Sequence, residues 1–305
     1  MMGPMPADLT EALGQRFAVA RYWEAPDKAA FLADHANTRF MVTDGHTGCS
    51  ARIMDALPGL ELIASYGVGT DAIDLPAAKA RGVAVTNTPN VLNDAVAELA
   101  LGLMLALGRR IVEADRFVRD GCWRAGNFAL TSELAGATVG ILGLGRIGKE
   151  IASRAQAFRM NVVYHGRRPQ KDVPFRYYDD LTEMARDVEW LVAAVPGGVQ
   201  TAGLVDRAVL EALGPQGAIV NVGRGSLIDE AALVELLQAG KLGGAALDVF
   251  AAEPDVPDAL RAMDNVVLSP HQASATEKTR RAMAYLVFQN LVAGQAGEPL
   301  LTPVG

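Results

Sequence analysis

Three glycines in GILGLGRIG (140–148), namely Gly143, Gly145 and Gly148, stand where an apolar strand pattern turns into a helical one. That G-x-G-x-x-G spacing suits a pyrophosphate. The first glycine permits a tight turn, the second lets phosphates approach the backbone, and the third lets helix and strand pack closely. The helix N-terminus then offers its N–H groups to the anion. About 20 residues beyond such a turn, a dinucleotide-binding chain often places an acid on the adenosine ribose. Here the chain reads His165, Gly166, Arg167, Arg168, Pro169. An acid would bind two free hydroxyls and repel a 2′-phosphate. Gly166 removes that charge, and Arg167 and Arg168 supply forked donors suited to a phosphate. The pattern predicts NADP(H) in preference to NAD(H).

Three later stretches add charged and titratable groups: Arg224 in NVGRGSLIDE (221–230), Glu253 in ALDVFAAEP (246–254) and His271 in LSPHQASAT (268–276). Each closes a predicted strand. The chain has four histidines. His35 lies in a polar helical stretch, His46 in a glycine-flanked loop, and His165 beside the expected phosphate site. His271 alone ends a late strand.

The elements that must position these groups follow from periodicity. RFAVARY (16–22), TRFMVTD (38–44), LELIASYG (60–67) and VAVTNTP (83–89) read as short strands. PDKAAFLADHA, SARIMDAL and DLPAAKARG read as the helices among them. Such alternation predicts a parallel α/β sheet. A long helical pattern runs from Asn90 to about Asp120, with Asn93 and Asp94 as caps and Gly121 beyond its end. A second βα series begins at Thr138, with strands TVGIL, NVVYH, WLVAAVP, GAIVNVG, GGAALDVF and NVVLSP. Six strands match a doubly wound nucleotide domain. The helix EKTRRAMAYLVFQNLVAG leads back toward the first series. The expected fold is α/β with two Rossmann-like domains, one inserted into the other, and a ligand cleft between them. The boundaries are read as 1–97 with 284–305 for the substrate-binding domain, and 98–283 for the dinucleotide-binding domain.

Taken with GLGRIG, SYGVGTDAID (65–74) and TPNVLNDAVAELALGLML (88–105), these motifs closely resemble the D-isomer-specific 2-hydroxyacid dehydrogenases. The arginines after the second strand resemble the glyoxylate/hydroxypyruvate reductase branch. The resemblance implies that Arg224 binds the substrate carboxylate and carbonyl. It implies His271 as acid/base, Glu253 as its carboxylate partner, and Val68 and Gly69 as backbone groups for the substrate carboxylate. It implies cofactor contacts at Leu144, Gly145, Arg146, Ile147, Arg167, Arg168, Val195, Pro196, Thr201, Val222, Gly223, Arg224, His271 and Ala273, with Asp248 near the nicotinamide amide. It also implies a homodimer built around the long helix. Two departures stand out. Arg159 replaces a usual glycine, with an effect expected at the surface only. VPGGVQT (195–201) replaces a more usual loop yet keeps Pro196 and Thr201.

The implied roles agree with elementary chemistry. Reducing a 2-oxo acid places a hydride on C2 and a proton on the carbonyl oxygen, where negative charge builds. A fixed guanidinium opposes that charge and grips the carboxylate with two prongs. Histidine can donate a proton near neutral pH, and a neighbouring carboxylate stabilises and orients imidazolium. The side-chain pocket is expected from the first domain, around Thr43–Thr47 and Tyr66. Glyoxylate and hydroxypyruvate lead as substrates, with bulkier aryl or branched 2-oxo acids as the alternative. A dinucleotide-sensing corepressor, which shares the fold, is the non-catalytic alternative, and formate, phosphite and phosphoglycerate dehydrogenases are further relatives of the architecture.

Composition narrows the setting. The chain has 305 residues, half of them hydrophobic, and a formal charge of −7. That suits two globular domains and argues against nucleic-acid binding. Two cysteines, Cys49 and Cys122, predict no disulfide framework and a cytoplasmic, reducing compartment. The N-terminus shows no signal-peptide pattern, and VAELALGLMLALG (96–108) is too short to span a bilayer. No cluster of ligands has metal-binding spacing. One expectation is testable at this level. Replacing Arg167 and Arg168 with serine should raise KM for NADPH at least tenfold more than KM for NADH; steady-state kinetics showing equal effects would refute the phosphate assignment.

Overall fold

The computed structural model describes residues 1–304; Gly305, the end of the expected 284–305 segment, lies outside them. The chain divides into two compact units: Met1–Leu92 with the segment from Ser274 onward, and Asn93–Ala273. No helix among the described residues is long and apolar enough to cross a membrane.

In the first unit, α1 (Ala7–Arg16) and α2 (Lys28–Asp34) precede β1 (Phe40–Asp44), α3 (Ala51–Asp55), β2 (Leu62–Tyr66), α4 (Leu75–Ala80) and β3 (Ala84–Thr86). The sheet is parallel, in the order β1-β2-β3. Every residue of the central β2 is buried, as a strand covered on both faces requires. Asp27 and Asp74 cap α2 and α4 with their carboxylates. The expected first strand, RFAVARY, does not pair into this sheet. A cavity of about 370 Å³, lined by Phe17, Val19, Met41 and Val42 among others, separates it from β1. An apolar run becomes a strand only where a neighbour completes the ladder, and here Met2 takes the place beside β1, its N–H donating to Val42 O (2.9 Å), while Tyr22 N–H donates to the Met1 oxygen (3.0 Å).

The second unit opens with α5 (Asn93–Gly108) and α6 (Ile111–Arg119). Sequence pattern suggests one continuous helix here. The chain instead breaks at Arg110, whose φ is +48°, and the Gly108 carbonyl accepts from Ser132 N–H at 3.0 Å. A series follows of β4 (Thr138–Leu142), α7 (Arg146–Ala157), β5 (Asn161–His165), β6 (Arg176–Tyr178), α8 (Leu181–Arg186), β7 (Trp190–Ala193), α9 (Arg207–Leu213), β8 (Ala218–Asn221), α10 (Glu230–Gln238), β9 (Gly244–Leu247), α11 (Asp258–Arg261) and β10 (Val266–Leu268). All seven strands are parallel, in the order β10-β9-β8-β7-β4-β5-β6. The six expected strands are present; β6, a three-residue edge strand with no apolar run, carries no sequence signal. The final helix α12 (Glu277–Ala296) packs on β2 and α1.

The unit boundaries fall at 92/93 and 273/274 rather than at the expected 97/98 and 283/284. The helices explain this. α5 packs as one body on α7, β8 and β9, and α12 packs whole against the first unit, so neither is cut within its length. Arg159 takes φ +60° on the exposed surface, a conformation that costs a non-glycine residue about 1 kcal/mol. Its effect is therefore on the backbone as well as the surface.

Register decides where chemistry can happen. Leu142 pairs with His165 and Ala193; Ala193 pairs with Asn221, Asn221 with Leu247, and Leu247 with Leu268. The carboxyl ends of six strands are thus level. The strand order reverses direction at β4, and open α/β sheets bind ligands at such a point.

Candidate active site

The glycine turn leaves β4 at this edge. A Cβ on Gly143 would lie 2.4 Å from Val195 Cγ1, and one on Gly148 would lie 2.1 Å from the Gly143 oxygen. Both positions exclude any other residue. A Cβ on Gly145 would meet nothing within 4 Å, so the backbone before α7 stands open to a ligand. Gln170 braces the turn, donating from Nε2 to the Leu144 oxygen at 2.7 Å. Its own N–H donates to Tyr164 Oη (2.7 Å), and Tyr177 Oη donates to the Gly166 oxygen (3.0 Å). Arg167 and Arg168 are exposed on this braced loop, and neither makes a hydrogen bond or ion pair among the described residues. An open pyrophosphate turn beside two uncommitted guanidiniums fits a phosphorylated dinucleotide. Leu144, Gly145, Arg146 and Ile147 form this turn. Val195 and Pro196 follow β7, where Thr201 Oγ1 donates to the Pro196 oxygen at 2.8 Å.

Across the same edge, the loops after β9 and β10 bring Glu253 and His271 together. His271 Nδ1 lies 2.7 Å from Glu253 Oε2, and Glu253 Oε1 accepts from Phe250 N–H at 2.9 Å. Both side chains are partly open, at 30% and 20% exposure. The ring is aimed by a fully buried carboxylate. Asp248 Oδ1 accepts from Ser269 Oγ (2.6 Å) and Gln272 N–H (2.9 Å), and Oδ2 accepts from Ala273 N–H (2.9 Å). The Asp248 carbonyl accepts from His271 N–H at 2.8 Å. These bonds hold His271 at φ +48°, which a free histidine avoids. Asp248 therefore shapes the loop that carries the imidazole.

Arg224 follows β8, next to Val222 and Gly223. Its Nη1 donates to the Gly223 oxygen at 2.8 Å. Buried Asn221 clips this turn from both ends, donating from Nδ2 to the Arg224 oxygen (2.8 Å) and accepting from Gly223 N–H (3.0 Å). A Cβ on Gly225 would sit 1.9 Å from the Phe250 carbonyl, so the arginine turn lies directly on the chain leading to Glu253. Val68 and Gly69 belong to the first unit, in the turn after β2, where Asn87 holds the Val68 carbonyl. Thr43 and Tyr66 do not line an open pocket there. Both are buried: Thr43 Oγ1 donates to the Gly48 oxygen (2.7 Å) and Tyr66 Oη to the Arg280 oxygen (3.1 Å).

The family model for the NAD-binding domain of D-isomer-specific 2-hydroxyacid dehydrogenases matches residues 101–273. A glyoxylate/hydroxypyruvate reductase A of Arabidopsis thaliana is 48% identical over 305 residues, covering 100% of this chain and 97% of its own. The chain belongs to the D-isomer-specific 2-hydroxyacid dehydrogenases. A hydroxyphenylpyruvate reductase of Plectranthus scutellarioides is 47% identical to this dehydrogenase, covering 100% and 97% of the two chains. The solved structure of an NADPH-dependent glyoxylate/hydroxypyruvate reductase of Sinorhizobium meliloti, with NADP and malonate, is similar at a TM-score of 0.94 and 45% identity, covering 99% of this chain and 95% of that one.

Sequence reading of the dehydrogenase missed the braces: Asn221, Gln170 and the loop-shaping task of Asp248. Buried polar residues just past strands were the signal available. Gly225 tests the contact of the two loops. Gly225→Ala should cost about 1–3 kcal/mol by overpacking against Phe250, read as a fall in urea midpoint, with reductase activity falling more than the folded fraction does; an unchanged midpoint and activity would show that the loops are not so placed.

Proposed function

We propose that this dehydrogenase reduces small 2-oxo acids, glyoxylate and hydroxypyruvate, with NADPH to 2-hydroxy acids, of D configuration wherever C2 becomes a stereocentre. The observation that supports this most is the 2.7 Å contact of His271 with Glu253 on the sheet edge that also carries the open glycine turn. A dinucleotide held by the turn at Gly143, Gly145 and Gly148, with Arg167 and Arg168 beside it, would supply the hydride for C2 of the substrate. Arg224 opposes the charge that then builds on the carbonyl oxygen and grips the carboxylate. Val68 and Gly69, in the first unit, are assigned to offer backbone N–H groups to a substrate carboxylate. Glu253 engages Nδ1, which assigns Nε2 of His271 as the proton donor to the carbonyl oxygen. The imidazole leaves the step neutral, and its partial exposure lets solvent return the proton. The preference for NADPH rests on Arg167 and Arg168 after Gly166.

A second reading extends to aryl 2-oxo acids, because the hydroxyphenylpyruvate reductase is almost as similar as the hydroxypyruvate reductase. We place the enzyme in a reducing cytoplasm. Both cysteines are free, and burial pushes the Cys49 thiol up to about 11, which keeps it protonated. The proposal includes a homodimer formed on the second unit. α6 exposes Ile111, Val112 and Val118, and the following arm exposes Trp123 at 65% and Leu130 at 99%. Apolar side chains grouped in this way mark an interface.

Three experiments test these statements. A kcat/KM panel over glyoxylate, hydroxypyruvate, pyruvate and phenylpyruvate with both cofactors should favour glyoxylate or hydroxypyruvate with NADPH. His271→Ala should lower kcat on the best substrate by about 10²–10⁴-fold with NADPH affinity retained; a loss of only a few-fold removes the acid/base assignment. In light scattering the wild type should be a dimer of 32.2 kDa chains, and Val118→Asp with Trp123→Ser should give monomers. A monomeric wild type would end the dimer proposal.

A further inference from the structure

Behind the turn that carries Val68 and Gly69 runs a chain of amide and hydroxyl contacts, all within the first unit. Asn87, just past β3, donates from Nδ2 to the Val68 oxygen at 2.8 Å. The next residue, Thr88, donates its N–H to the Gly67 oxygen at 3.0 Å. Asn87 is itself held. Its carbonyl accepts from Thr302 Oγ1 at 2.6 Å, and its N–H donates to the Thr302 oxygen at 3.3 Å. Thr302 is held in turn by Asn290 on α12. Asn290 Nδ2 donates to Thr302 Oγ1 (2.9 Å) and to the Leu286 oxygen (2.8 Å). Asn290 Oδ1 accepts from the N–H groups of Leu301 (3.0 Å) and Thr302 (3.2 Å). Asn290 is fully buried, where each unmade bond would carry a desolvation cost.

We infer that Asn87 is a positioning residue for the reaction, fixing the Val68–Gly69 peptide so that the Gly69 N–H is aimed at the substrate carboxylate. The inference rests on the proposed role of that N–H. The peptide unit is planar and trans, so the Val68 carbonyl and the Gly69 N–H point in opposite directions. Holding one therefore aims the other. The turn needs such a hold. It reads Gly67-Val68-Gly69, with Gly67 at φ +150°, and flanking glycines lower the cost of rotating the peptide. Asn290 and Thr302 act at one further remove, by keeping Asn87 in place.

The aim of an N–H should matter for carboxylate binding more than for hydride transfer. Asn87→Asp keeps the shape and loses the donor. It should raise KM for the best 2-oxo acid about 10–100-fold, with kcat within about threefold and the dissociation constant for NADPH unchanged. Malonate, a carboxylate with no 2-oxo group, should lose affinity for the NADPH-loaded enzyme by a similar factor. Thr302→Val should raise KM severalfold, and Thr302→Ser should restore it; this pair carries the test if Asn87→Asp fails to fold by circular dichroism. An active wild type whose variants keep their KM and malonate affinity overturns the positioning role alone. So does a variant in which kcat, NADPH affinity and melting temperature fall together. A wild type inert toward every 2-oxo acid overturns the proposed function and this inference with it.

Discussion

A buried carboxylate governs the sheet edge to which we assign the reaction. Asp248 is removed from water, and its carboxyl oxygens accept from three donors, two of them main-chain N–H groups of the next loop. A desolvated anion left unpaired would cost several kcal/mol. The cheapest arrangement is therefore the one in which residues 269–273 wrap around it. That wrapping forces His271 into a left-handed conformation and turns its ring to Glu253. The His271–Glu253 geometry is in this sense a by-product of satisfying the buried Asp248 carboxyl.

Asp248 can do this because the sheet is level. Its N–H donates to the Asn221 oxygen, and the Ser269 N–H donates to the Leu247 oxygen, so three neighbouring strands hand over to their loops at one height. The same levelling sets the glycine turn, the arginine pair and the Arg224 turn along one margin. Glycine then sets the spacing. Gly148 lets α7 close on the turn, and Gly225 lets the Arg224 turn rest on the backbone at Phe250. A protein interior at crystal-like density has no slack to absorb a methyl group at these places.

Much of this was legible in the sequence. Strands buried on both faces, such as β2 and β7, announce themselves as unbroken apolar runs. The glycine turn and the stretches holding Arg224, Glu253 and His271, the residues proposed for catalysis, are short motifs tied to strand ends. What escaped was anything decided by tertiary partners. RFAVARY has the pattern of a strand and lacks a ladder beside it. The break at Arg110 depends on Ser132, which lies 22 residues later and captures the Gly108 carbonyl. Asn221, Gln170 and Asn87 are ordinary polar residues until the fold reveals what they hold. Thr43 and Tyr66 looked available to a substrate because their burial is a property of the assembled unit.

The first unit is assembled from two stretches of chain far apart in sequence, since α12 packs on β2 while roughly 180 residues of the other unit intervene. Closing so long an excursion as open coil would tax entropy, though only logarithmically with length. A second unit that is contiguous can collapse on its own as it emerges from the ribosome, drawing the excursion's two ends into a compact body. Biosynthesis thus has a natural order: the inserted portion matures early, and β2 keeps an uncovered face until the last helix is made.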